Sequence, residues 1–215
     1  MKFKTPNYDF LRKSSYTSVY PPSEDTFILM DALEDEYDFL KKLKPTIAIE
    51  VFTGSGVLST FLSKLIESCF IISTDINNMA CSAAAECCRV NNINNCDVIN
   101  TNLTTGLEKL QGQVDVIIAN PPYVPCLEDE QTKGGIYLSW TGGNDGCSVI
   151  NNFFENVSTL LSTKGVLYAV LIKDNDIEKI RTDIFQKYKL KSKIIKYRPT
   201  GEKLYVLKVE SIYKV

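Results

Sequence analysis

The run TIAIEVFTGSGVLSTFLSKLIESCFIISTD (46–75) decides the fold. Its first part, TIAIEVF (46–52), is β-branched and apolar and reads as a buried strand that stops at TGSG. VLSTFLSKLIES (57–68) then has helical periodicity, and CFIISTD (69–75) is a second apolar strand. Strand, helix, strand in that order describes a crossover between parallel strands. The alternation continues outward. Upstream, SEDTFILMDALEDEYDFLKKL (23–43) reads as one helix, with Ser23 as N-cap, Glu24 and Asp25 in the first turn, and Pro45 stopping it. Downstream come a helix (76–92), a short strand CDVINTN (96–102), the strand VDVIIAN (114–120) and a Gly-rich irregular segment (124–146). A helix (148–162), a strand (165–172) and a helix (174–188) follow. KSKIIKYR and KLYVLKV close the chain as antiparallel neighbours across a Pro199-Thr200-Gly201 turn.

The expected architecture is a single α/β domain spanning 1–215, with 1–45 as an N-terminal extension and helix and 46–215 as the sheet core. Its sheet is doubly wound, mostly parallel and seven-stranded, with an antiparallel C-terminal edge.

Composition narrows the chemistry. At 215 residues, 44% hydrophobic and 23% charged, the chain resembles an ordinary soluble domain, and no apolar run reaches membrane-spanning length. The start, MKFKTPNYDF, is too polar for a signal peptide, so a cytoplasmic location is expected, with the nucleus as alternative. A net charge of −2 lacks the basic footprint of a dedicated duplex binder, which argues against nucleic acid as a partner. KYKLKSKIIKYR (187–198) is a local basic run, read as a solvated helix end and strand face, with contact to RNA or an acidic partner as the alternative. Glu128, Asp129 and Glu130 read as an exposed loop. The seven cysteines contain no C-x-x-C pair and read as buried thiols in a reducing compartment, and no metal is expected. Histidine is absent, which removes Ser-His and Cys-His catalysis.

In a doubly wound sheet, ligands sit at the carboxyl ends of the strands. Gly54 and Gly56 let the first loop pass close to a ligand, and Asp75, ending the second strand, is placed to accept hydrogen bonds from ribose hydroxyls. The third glycine of a dinucleotide fingerprint is missing, since LST follows instead. That leaves an adenosine-bearing ligand without phosphates, of which S-adenosylmethionine is the obvious one. ANPPYVPC (119–126) then ends the fourth strand. Asn120 and the Pro121 carbonyl offer two fixed acceptors, Pro122 adds no competing N–H, and Tyr123 gives a flat face. Two acceptors grip both hydrogens of a planar NH2 group, as in an amide or exocyclic amine.

These motifs together resemble the HemK-type protein glutamine methyltransferases, most closely the short eukaryotic and archaeal branch. VYPPSEDTFILMDALE (19–34), EVFTGSGVLS, STDIN (73–77), TNLTTGL (101–107), NPPYVP (120–125), WTGGNDG (140–146) and GVLYAVLIKDN (165–175) follow in the family's order. The resemblance implies a class I methyltransferase fold and N5-methylation of the glutamine in the Gly-Gly-Gln motif of a class I release factor. It implies that Thr26 and Glu50 hold the methionine part of S-adenosylmethionine, with Tyr20 and Asp25 near it. Asp75 and Ile76 would hold ribose and adenine, Asn102 and Leu103 the adenine edge, and Asn120 and Pro121 the substrate amide. It further implies a small zinc-binding activator subunit paired with the third strand, CDVINTN, and a substrate met alone or with its GTPase partner. Two positions depart from the pattern: Phe52 stands where the family has glycine, and Asn102 where it usually has aspartate, so weaker but real cofactor binding is expected. The competing readings are a nucleic-acid N6-adenine methyltransferase, a non-catalytic cofactor-binding scaffold, and a broader amine specificity that takes lysine.

Overall fold

A computed structural model describes residues 3–125, 140–143 and 146–212. Strands β1 (Ile47–Val51), β2 (Phe70–Asp75), β3 (Cys96–Asn100), β4 (Val114–Ala119), β5 (Leu161–Ile172), β6 (Leu190–Arg198) and β7 (Leu204–Ser211) form one sheet in the order β3-β2-β1-β4-β5-β7-β6. The first five are parallel; β7 runs antiparallel between β5 and β6. The apolar runs account for this, since every residue of β4 is buried and a strand covered on both faces needs no alternation. β3 is the exception among the parallel strands: it lies at the sheet edge with Asp97, Ile99 and Asn100 exposed.

The described helices are α1 (Glu24–Asp35), α2 (Tyr37–Leu43), α3 (Val57–Leu65), α4 (Asn78–Val90), α5 (Ser148–Val157) and α6 (Ile177–Tyr188). The helix expected over 23–43 is two helices, broken at Glu36. Glu36 accepts hydrogen bonds from Tyr168 Oη at 2.9 Å and from Lys208, partners 132 and 172 residues away that local periodicity does not encode. The helix expected over 148–162 ends at Val157, and β5 begins at Leu161, four residues before the expected strand start at 165. α1 packs on α3 and reaches across β5, β6 and β7. Arg198 at the end of β6 fixes that placement, donating to Glu24 Oε2 at 2.6 Å and Asp31 Oδ2 at 2.5 Å, while Lys196 pairs with Asp35. Part of the basic run is therefore spent on the acidic face of α1. The Glu128–Glu130 cluster lies outside the described residues.

Candidate active site

Strand order reverses between β1 and β4, because the chain builds outward to β3 and then returns to the other side of β1. At that switch point a cavity of about 580 Å³ opens, lined by the loop after β1, the ends of β2 and β4, and the start of α1. It brings together Tyr20, Asp25, Thr26, Gly54, Asp75, Ile76, Asn102, Leu103, Asn120, Pro121, Pro122 and Tyr123. Two expected site residues, Glu50 and Gly56, are not among its lining.

Gly56 serves packing instead. A Cβ there would lie 2.4 Å from Ala84 Cα on α4, and its φ of +74° is a left-handed conformation. The first glycine, Gly54, faces open space and donates its N–H to Asp75 Oδ2 at 2.9 Å. Asp75 Oδ1 accepts from Asn77 N–H at 2.8 Å, so the carboxylate ties two loops together and keeps spare lone pairs for hydroxyls. Burial raises the Asp75 pKa, although the Asn77 and Gly54 amides oppose it. Beside it Ile76 is 62% exposed, an apolar face in the cavity wall for a flat ring. Asn102 and Leu103 line the same end, with Leu103 at φ +53°.

Glu50 is fully buried below the loop. Its Oε2 accepts from Thr53 Oγ1 at 2.7 Å, Ser59 N–H at 3.1 Å and Ser59 Oγ, while Oε1 has no partner among the described residues. Burial pushes its carboxyl up to about 8 against those donors. It braces Thr53, which does line the cavity.

At the other end stands Asp25, 4% exposed in the first turn of α1. Its Oδ1 accepts from Thr26 N–H at 2.7 Å and Thr26 Oγ1 at 3.3 Å. Its Oδ2 accepts from Asn120 Nδ2 at 3.0 Å and Tyr123 Oη at 2.8 Å. Asn120 Oδ1 is buried with no partner among the described residues. Burial and the Asp25 carboxylate hold the Tyr20 hydroxyl up at about 12 and raise that of Tyr123 further. Tyr123 is 6% exposed and bonded through its hydroxyl, so it is a braced wall rather than a free stacking face.

Residues with no expected role complete the wall. Trp140, Thr141, Val149, Asn152 and Glu202 line it, alongside Phe52, the expected departure in the cofactor loop. Burial, then Asp25 and Asp174, raise the Glu202 pKa. Asn175, wholly buried, donates to the Tyr123 carbonyl at 2.8 Å and accepts from Ile172 N–H at 2.9 Å, pinning the NPPY turn to the end of β5. Val124 N–H donates to the Trp140 carbonyl at 2.9 Å, and Gly142 N–H to the Val124 carbonyl at 2.8 Å. Gly146 is glycine because a Cβ would sit 2.5 Å from the Tyr123 carbonyl oxygen. For Trp140, Thr141, Gly142, Gly146 and Asn175 the sequence signal was the WTGGNDG and GVLYAVLIKDN segments, which carried the resemblance without individual roles, whereas Val149, Asn152 and Glu202 lie outside every segment that carried it.

The family model "Methyltransferase small domain" matches residues 26–134. The chain is 39% identical over 178 residues to "Methyltransferase HEMK2" of Mus musculus, covering 82% of each. It is 33% identical over 201 residues to "eRF1 methyltransferase catalytic subunit mtq2" of Schizosaccharomyces pombe, covering 85% of this chain and 84% of that one. Among solved structures it superposes with TM-score 0.63 on a ribosomal protein L11 methylase from Lactobacillus delbrueckii, at 18% identity over 90% of this chain and 81% of that one. The seven-stranded sheet and the cavity at its switch point are those of the class I methyltransferases, and with these relatives the chain belongs to the methyltransferase small-domain family and, within it, to the HemK-type protein glutamine methyltransferases.

Proposed function

We propose that this chain methylates the side-chain nitrogen of the glutamine in the Gly-Gly-Gln motif of a class I peptide chain release factor, with S-adenosylmethionine as methyl donor. The observation that carries it is Asn120 Oδ1, a buried acceptor with no partner among the described residues, next to the Pro121 backbone in the cavity wall. A buried acceptor left unmade costs about 1–3 kcal/mol, and a bound NH2 group removes that cost. Two acceptors on the two amide hydrogens hold the nitrogen in one orientation and keep electron density on it. The naming of the S. pombe relative as an eRF1 methyltransferase supports the same substrate.

The cavity fits the donor. Asp75 accepts ribose hydroxyls, Ile76 offers adenine an apolar face, and Asn102 and Leu103 close its edge. Tyr20, Asp25 and Thr26 lie at the methionine end, and Glu50 acts on that end through Thr53. When bound, S-adenosylmethionine supplies a methyl carbon made electrophilic by its sulfonium. Asp25, Asp75 and Glu202 line the cavity, and no Lys or Arg does among the described residues, so its field favours a cationic cofactor. That same field disfavours a polyanion, against the nucleic-acid reading. A scaffold has no use for the unpaired Asn120 oxygen.

The small zinc-binding activator is assigned to β3, whose exposed edge carries Ile99, 37% exposed. The whole chain 1–215 acts as one methyltransferase domain in the cytoplasm, with the nucleus as a second compartment. Among the described residues no helix is long and apolar enough to cross a membrane.

Methyl transfer to a class I release factor, by this chain co-expressed with the activator, tests the reading by mass spectrometry. A single added methyl on the Gly-Gly-Gln glutamine, absent when that glutamine is alanine, is the expected result. Asn120→Ala should fold, bind cofactor and lose about 10²-fold or more in turnover. Turnover equal to the parent's would remove Asn120 from the site.

A further inference from the structure

An asparagine presents an acceptor on one side of its amide and a donor on the other, and a half-turn of the side chain exchanges them. If the Asn120 amide turned over, the substrate's NH2 would meet another NH2. Something must hold it one way. The geometry points to Asp25 as the positioning residue that fixes the Asn120 amide with its oxygen presented to the substrate. This rests on the proposed amide reaction.

A carboxylate accepts and does not donate, so the Asn120 nitrogen must face Asp25 Oδ2, 3.0 Å away, which leaves Oδ1 for the ligand. Asp25 cannot rotate to escape that duty. Its other oxygen is held by the Thr26 N–H at 2.7 Å and Thr26 Oγ1 at 3.3 Å. Tyr123 Oη, at 2.8 Å, puts a second donor on Oδ2. Thr26 is itself locked into the start of α1, its Oγ1 accepting from Ser23 N–H at 3.3 Å. The polarity of the amide site is therefore set 95 residues upstream in sequence, by the turn that starts α1.

Asp25→Asn tests this with almost no change of shape. The Thr26 donors will keep the oxygen of the introduced amide on their side and turn its NH2 toward Asn120. Asn120 must then flip to accept, and the ligand meets a donor. Turnover on the glutamine should fall about 10²-fold or more. The exchange Asp25→Asn with Asn120→Asp restores complementarity. The carboxylate now on β4's end accepts from the amide now on α1 and still presents an oxygen to the ligand. The Tyr123 hydroxyl can accept where it formerly donated. The double variant should recover about tenfold or more over Asp25→Asn, a non-additive gain that a merely structural role does not produce.

Turnover of Asp25→Asn near the parent's, or a double variant no better than the single one, overturns the proposal. Should the single variant not fold, a folded double variant decides by its own turnover, activity supporting the assignment and inactivity overturning it. In the unmodified protein, NMR should show one Asn120 Hδ2 proton shifted downfield and protected from exchange by the carboxylate. An Asn120 amide exchanging like a free side chain overturns the assignment without any variant. If the parent methylates no amide, the proposed reaction fails, while the NMR signature still decides the role of Asp25.

Discussion

Phe52 holds φ at +63°, a left-handed conformation in which a side chain costs about 1–2 kcal/mol and glycine costs nothing of the kind. The family resemblance expects glycine there, and the left-handed backbone is a physical reason for one. What the phenylalanine returns is contact, its ring lying 5.8 Å from that of Phe153 on α5. Phe52→Ala and Phe52→Gly both delete the ring, but only the glycine releases the strain. The glycine variant should therefore be more stable than the alanine variant by about 1 kcal/mol, roughly 2–4 °C in melting temperature for a chain of this size. An alanine variant melting at or above the glycine variant would show that the loop relaxes and stores no strain. This departure was legible in sequence, as were Asn120 and Asp75, because each of those directly follows or ends an apolar strand. Asn175 and Glu202 were not legible. Asn175 matters through the Tyr123 carbonyl 52 residues away, and Glu202 through a hairpin that folds back over the cavity.

β1, α3 and β2 meet at one buried carboxyl. Glu50 of β1 takes donors from Ser59 of α3, and Ser59 Oγ lies 2.5 Å from Ser73 Oγ of β2. Burial raises its folded pKa from the ordinary 4.5 to about 8, so the folded state binds this proton more tightly than the unfolded chain. The stability it contributes is complete below the unfolded value and is lost as pH rises through the folded one. Across that window the slope approaches about 1.4 kcal/mol per pH unit. Glu50→Gln keeps an acceptor for Thr53 and Ser59 and removes the proton. Between about pH 5.5 and about 7.5 the parent should lose about 2 kcal/mol or more relative to the glutamine variant, read from urea midpoints. An unchanged difference between the two proteins would mean Glu50 stays ionised in the fold. Elements themselves were readable wherever one face or both were apolar along the run, as in β1, β2, β4 and β5. The break at Glu36 and the early start of β5 were not, because both come from partners across the sheet: Tyr168 and Lys208 at the first, the β4 backbone at the second.

Charge is distributed over the molecule in a way that separates the two substrate classes. The carboxylates Asp25, Asp75 and Glu202 sit at the cavity, at the carboxyl ends of the parallel strands. Of the basic run, Lys196 and Arg198 are tied to α1, whereas Lys191 and Lys193 are exposed at the start of β6. β6 runs parallel to β5, because each is antiparallel to β7, so the start of β6 lies at the end of the sheet away from the cavity. It also lies at the opposite edge from β3, the edge proposed for the activator. Lysines on an edge strand have a sufficient role in blunting edge-to-edge pairing. Reversing both charges, Lys191→Glu with Lys193→Glu, should leave transfer to the release factor within about twofold, as exposed substitutions remote from a site usually do. A nucleic-acid substrate makes the opposite demand. Its backbone would have to cross an acidic mouth and would draw its affinity from these exposed ammonium groups, so the reversed variant would lose binding and the parent would weaken steeply with salt. The two demands separate in one titration. Turnover by the parent that changes little between about 50 mM and about 200 mM salt fits a protein loop entering an acidic cavity, while a fall of about 10³-fold would mark a polyanion.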